Sequence, residues 1–255
     1  APGATGCAGE PMAPQFDDWQ CPDGWRALEV SEVTGHSYCV PPPTSDCPEG
    51  DFAEYTGDGE VIYVKPGGPD YDWSLDNSLG FSPANAVGTL GAALDLVYDY
   101  ENYGGLDIEA VLVAKGTYEG IVYLDQDVRV IGACPQETTL AADTPDDFTL
   151  LMYDDVSTSF ENFSIGGTNL GVKIVGTNDA KLINVELNGQ MVVVDDRLSY
   201  SNPTFVATQA YLEEVRFENA STGILILGSD SEVSLSNVQI NVASAEDSVG
   251  VLLGA

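Results

Sequence analysis

A six-residue phrase recurs through the second half of the chain and limits its fold more than any other feature. "FENFSI" (160–165), "LINVEL" (182–187), "LEEVRF" (212–217) and "LSNVQI" (235–240) all read apolar, any, Asn or Glu, apolar, any, apolar, with first positions 22, 30 and 23 residues apart. Strict strand alternation fails inside each copy, because period two puts Leu182 on the opposite face from Val185 and Leu187. The third position lies at the break. In three copies it is Asn (Asn162, Asn184, Asn237), which tolerates left-handed backbone because its short amide bonds locally. One left-handed residue bends the chain and resets the direction of the side chains that follow. Each phrase therefore reads as two short strands meeting at a corner. Leu182, Val185 and Leu187 then face one interior, as do Leu212, Val215 and Phe217, and Leu235, Val238 and Ile240. The Asn side chains are expected to stack as a ladder, and Glu214 stands at the corner of the third copy.

A second phrase lies upstream of two of these copies, and a third instance comes near the end. "GVKIVGTND" starts at Gly171, "GILILGSDS" at Gly223 and "GVLLG" at Gly250. The surplus in the 30-residue interval falls between Met191 and Gln209 and reads as a bulging loop. A unit of about 22 residues, made of strand, turn, strand, corner and strand, marks a stacked coil in which each unit covers its neighbour. Parallel crossovers favour a right-handed coil. Ala255 arrives before the corner that should follow Gly250, so the last turn reads as unfinished. It is either a piece of a longer coil or an end covered by another copy, with Val249, Val251, Leu252 and Leu253 as the assembly edge. Head-to-tail contacts of that kind generate open filaments.

The first 57 residues are different. They are irregular and rich in Pro and Gly, and they hold Cys7, Cys21, Cys39 and Cys47. These four read as a small segment held by disulfides among themselves, which fits an oxidising compartment. Cys134 is left over and reads as a buried thiol, with a bond to the N-terminal segment as the alternative. The division is thus a Cys-rich segment (1–57) and a coil (58–255). Charge is lopsided, with 41 Asp and Glu against 8 Lys and Arg, a formal net of −33. Phosphate backbones and anionic lipid surfaces are repelled, which argues against nucleic acid as a partner. No apolar run reaches membrane length, and the chain reads as secreted and already processed.

Between these parts, "EVIYVKPGG" (60–68) reads as the first strand of the coil. Ser82-Pro83 reads as a helix start, and Val87, Leu90, Leu94 and Val97 follow at helical spacing up to Gly104-Gly105. Such a helix would cover the apolar end of the stack. The helix "NAVGTLGAALDLV" and the stretch "VLVAKGTYEGIVYLDQDVRVIGACPQETTL" (111–140) together resemble the opening of right-handed parallel β-helix proteins of the pectate-lyase-like superfamily. "CPDGWRALEV…YCVPP…DCPEG" (21–50) is similar to Cys-rich leaders on secreted β-helix proteins of myxobacteria and related bacteria. The resemblance implies an all-β solenoid with an N-terminal capping helix. It leaves function open, because the superfamily holds lyases, esterases, hydrolases, adhesins and surface proteins of unassigned role.

Chemistry is sparse in this sequence. Asp195, Asp196 and Arg197 are one place that offers carboxylates beside a cation, the types that lyases and esterases of the superfamily use on acidic sugars. Contiguous residues point apart in a strand, however, and an Asp–Arg pair on a loop is commonly a surface ion pair. Asp143, Asp146, Asp147, Asp154 and Asp155 lie on acidic turns that would suit Ca2+, a hard ion that takes oxygen ligands. Two expectations follow. One is a non-catalytic extracellular or cell-surface β-helix protein, structural or adhesive, that pairs with copies of itself or other surface proteins. The other is a Ca2+-dependent polysaccharide lyase or a carbohydrate-esterase relative.

Overall fold

In the computed structural model, the described residues are 26–30, 36–40, 47–70, 79–142, 148–154, 156–167, 170–177, 179–196, 208–228, 230–242 and 249–254. The chain divides into two compact units, 1–44 and 45–255. In the first, β1 (Arg26–Val30) and β2 (His36–Val40) form an antiparallel pair in which Arg26 faces Val40.

The second unit is built of parallel strands and one short helix. Its first strands are β3 (Glu60–Val64), β4 (Ile108–Val113), β5 (Gly116–Glu119), β6 (Val122–Leu124), β7 (Arg129–Gly132), β8 (Thr138–Ala142) and β9 (Leu150–Tyr153). There follow β10 (Ser157–Gly167), β11 (Gly171–Val175), β12 (Asp179–Asn188), β13 (Met191–Asp195), β14 (Gln209–Glu213) and β15 (Arg216–Ala220). The last are β16 (Thr222–Leu227), β17 (Glu232–Ser236), β18 (Gln239–Val242) and β19 (Val249–Gly254). Two parallel sheets result. One runs β17-β14-β12-β10-β7-β4-β3, with β15, β18, β8 and β5 pairing beside that path, and the other runs β19-β16-β13-β11-β9-β6. From β10 onward the chain passes back and forth between the sheets, and each strand from β10 to β16 pairs with its counterpart one repeat later.

The register places the recurring phrase in columns. Phe160 pairs with Leu182, Leu182 with Leu212, and Leu212 with Leu235. Ile165 pairs with Leu187, Leu187 with Phe217, and Phe217 with Ile240. Asn162, Asn184, Glu214 and Asn237 have φ of 63°, 51°, 56° and 52°, so all four corners are left-handed, the Glu included. Asn184 Nδ2 donates to Asn162 Oδ1 at 2.8 Å, one step of the expected ladder. A second such step, which the phrase does not announce, runs from Asn219 Nδ2 to Asn188 Oδ1 at 3.1 Å, with Asn219 also left-handed.

The core lies between the sheets. Leu182, Val185, Leu187, Leu212, Val215 and Phe217 are buried there, and the Phe160 and Phe163 rings stack at 4.0 Å. Leu235 corrects the expected core: it is 48% exposed, and Val238 and Ile240 are only partly buried. Among the described residues β17 pairs only with β14.

The helix also begins later than its sequence suggests. Pro83–Asn85 is a single 3-10 turn, and Val87 is drawn into a bridge with Val64. Helix α1 spans Leu90–Asp99, capped by Thr89, whose Oγ1 accepts from Ala92 N at 3.1 Å. A wider turn over Tyr100–Gly104 leads to Gly105, left-handed at φ 68° as a helix C-terminus favours. The apolar stripe of α1 joins Ile62, Val64, Ile108 and Leu124 in the core.

Candidate functional site

Residues 47–57 pack against the outer face of the long sheet, although the sequence groups them with the Cys-rich segment. Phe52, Ala53 and Tyr55, with Val61 and Tyr63 of β3, cover Ala110, Leu112 and Ile131, giving β4 apolar contacts on both faces. Phe52 meets Tyr63 edge-on at 5.2 Å. Asp51 O accepts from Lys115 N, Pro48 O from Lys115 Nζ, and Lys65 Nζ lies 2.6 Å from Asp51. That docking brings Cys47 to Cys134, where they form a disulfide with Cα atoms 5.3 Å apart. Cys134 is therefore not a leftover thiol, and the partner of Cys47 is not Cys7, Cys21 or Cys39. Cys7 and Cys21 lie outside the described residues, as does the side chain of Cys39. A disulfide suggests a location outside the cytosol. Among the described residues no helix is long and apolar enough to cross a membrane.

Further along the same face, residues from separate repeats converge. The pairing puts Arg129 beside Ser159 and Ser159 beside Lys181, with Tyr211 next in the row. Arg129 grips Glu161 with Nε at 3.0 Å from Oε1 and Nη2 at 3.2 Å from Oε2, and Ser159 Oγ donates to Oε1 at 2.6 Å. The Glu161 bonds push the guanidinium pKa above its ordinary value, so Arg129 keeps its charge. Lys181 Nζ lies 2.8 Å from Asp179 Oδ2 and 5.8 Å from the centre of the Tyr211 ring. Two donors of the only Arg in this row are thus occupied by a nearly buried carboxylate. Ser159, Lys181 and Tyr211 each stand one residue before the recurring phrase, and Glu161 is the second position of the first copy, so they line up once the corners are superposed.

The residues singled out for catalysis sit elsewhere and differently. Asp195 is the last residue of β13, paired with Val175 and Leu227, so it belongs to the ladder and not to a loop. Asp196 is buried, and its Oδ2 accepts from Asp230 N at 2.6 Å. A Cβ on Gly228, which is left-handed at φ 88°, would overlap the Asp196 carboxylate. That acid therefore ties one turn to the next. Arg197 lies outside the described residues, as do Asp143, Asp146, Asp147 and Asp155. Asp154 occupies a left-handed turn at φ 74° after β9. On β19, Val251, Leu252 and Leu253 are exposed, Leu253 by 75%, and the Val249 side chain lies outside the described set. No family model, no curated protein and no solved structure matches this chain.

Proposed function

We propose that residues 58–255 form a right-handed parallel β-helix serving as a non-catalytic structural or adhesive element of a secreted or cell-surface protein. Three-strand repeats that pair in register, with left-handed corners in columns, support the coil, and the crossover preference supports its hand. One observation carries the non-catalytic reading. Lys65, Lys115, Arg129, Lys181 and Arg216 each sit against a carboxylate. A polyanionic sugar would have to displace those acids against a net charge of −33. Asp195 and Asp196 are buried in the ladder and its turn and do not face an open groove. β19 pairs on one side only among the described residues, and its apolar positions would take a further strand, whether of a longer coil, a second copy or another surface protein.

Incubation with a panel of neutral and acidic polysaccharides, with and without Ca2+, tests this reading by product analysis. The expected result is no depolymerisation and no deacylation. Released unsaturated oligosaccharides or free acyl groups would establish the lyase or esterase reading instead.

A further inference from the structure

A groove of about 280 Å3 runs between α1 and β6 with the turn that follows it. Its helix wall is one stripe, Gly91, Leu94, Asp95 and Tyr98, at spacings of three and four residues. Its other wall carries Tyr123, Asp125 and Gln126. Most aromatic rings of this unit are packed away, yet Tyr98 is 49% and Tyr123 51% exposed, and both line this groove.

The charged groups here are the carboxylates of Asp95 and Asp125, which are acceptors. Asp125 is fixed in place, with Tyr153 OH donating to Oδ2 at 3.1 Å and Gln126 Nε2 donating to Oδ1. Gln126 Oε1 has no donor among the described residues. Asp95 is exposed on the helix and makes no ion pair among the described residues. No Lys, Arg or His lines the groove. Tyr98 and Asp99 also stand in the last turn of α1, where helix carbonyls favour a cation and no basic side chain supplies one. Aromatic faces with carboxylates and no competing cation form the chemistry that holds an organic cation.

We propose that this groove binds a primary alkyl ammonium, with the faces of Tyr98 and Tyr123 against its alkyl chain and Asp95 and Asp125 accepting from its N–H groups. Two sources offer that group, a free diamine or polyamine and the lysine side chain of a partner protein. A neutral sugar could also stack on the tyrosines and donate hydroxyls to the carboxylates, but it would bring no positive charge to them.

The test is calorimetric titration of the full chain at 150 mM salt, about the level that screens loose counterion binding. The probes are 1,5-diaminopentane, Nα-acetyl-lysine amide, 1,5-pentanediol and methyl glucoside. Saturable one-site binding of the amines is expected, with none for the diol or the glycoside. Asp95→Asn and Tyr123→Ala should each weaken the amine at least tenfold, while the distant exposed change Glu232→Gln should leave it unchanged. A diamine that binds tighter than the lysine amide assigns a free polyamine, and equal affinity assigns a partner's lysine. Equal weakening by all three substitutions would show counterion binding only. That result, binding of the diol or glycoside, or no binding by any probe would overturn the proposal. Both groove substitutions lie on exposed side chains, and circular dichroism of each variant separates lost binding from lost folding.

Discussion

The left-handed corners give a prediction with opposite signs at two positions of one column. At Asn184, φ of 51° strains any side chain with a branched Cβ, and the amide also donates to Asn162 at 2.8 Å. Left-handed backbone costs an ordinary residue about 1–2 kcal/mol, and more for a β-branched one. A half-buried hydrogen bond contributes about 1 kcal/mol. Asn184→Val should therefore destabilise the fold by about 2–3 kcal/mol. Glu214 holds the same conformation at φ 56° without the local amide bond that makes Asn tolerant. Glu214→Asn should relieve part of that strain and stabilise by about 0.5–1 kcal/mol. For a unit of this size 1 kcal/mol moves Tm by about 2–4 °C. Thermal unfolding followed by circular dichroism should put Asn184→Val about 5–10 °C below the parent and Glu214→Asn about 2 °C above it. Equal destabilisation by both changes, or no loss in Asn184→Val, would refute the corner argument.

Removing the Cys47–Cys134 bond by a double Ser substitution frees a loop with a sequence separation of 87 residues. Chain entropy sets the loss at about 4.5 kcal/mol, and equilibrium denaturation should show a fall of that order. A non-reduced peptide map of native protein should contain the Cys47–Cys134 crosslink. Phe217→Ala empties a fully buried position and should cost about 3–5 kcal/mol by urea titration. Tyr153 has its phenol pushed up to about 12, first by burial and then by the Asp125 carboxylate beside it. A folded pKa above the unfolded value of about 10 means stability that is complete below pH 10 and is lost as pH rises toward 12. Tyr153→Phe should remove a late step from the tyrosinate absorbance titration and flatten that alkaline loss.

Much of this architecture was readable because its cause is local. A single Asn that breaks alternation, repeated with the same neighbours, needs nothing beyond the chain to fix a corner, and the columns at Leu182 and Phe217 follow from it. The corner at Glu214 shows position outweighing residue preference: ladders on both sides hold the backbone left-handed against the side chain's tendency. What the sequence hid depends on distant partners. Residues 47–57 looked like part of an irregular leader, because their apolar contacts, Ala110, Leu112 and Ile131, lie more than fifty residues away. The same docking decides which thiol Cys47 meets. Ser82-Pro83 looked like a helix start by local chemistry, but Val87 is captured by the bridge to Val64, and the helix waits for Thr89. The Arg129–Glu161 pair and the groove beside α1 are assembled across repeats, so no contiguous motif announces either.

The most direct test of the account is a crystal structure of the protein over residues 156–254. The parallel coil requires Phe160, Leu182, Leu212 and Leu235 to lie in one column, with Cα atoms about 4.8 Å apart from strand to strand. It also requires left-handed backbone at Asn162, Asn184, Glu214 and Asn237, and a right-handed path from each corner to the second sheet. Antiparallel hairpins through these residues, or a left-handed path between the sheets, would contradict it.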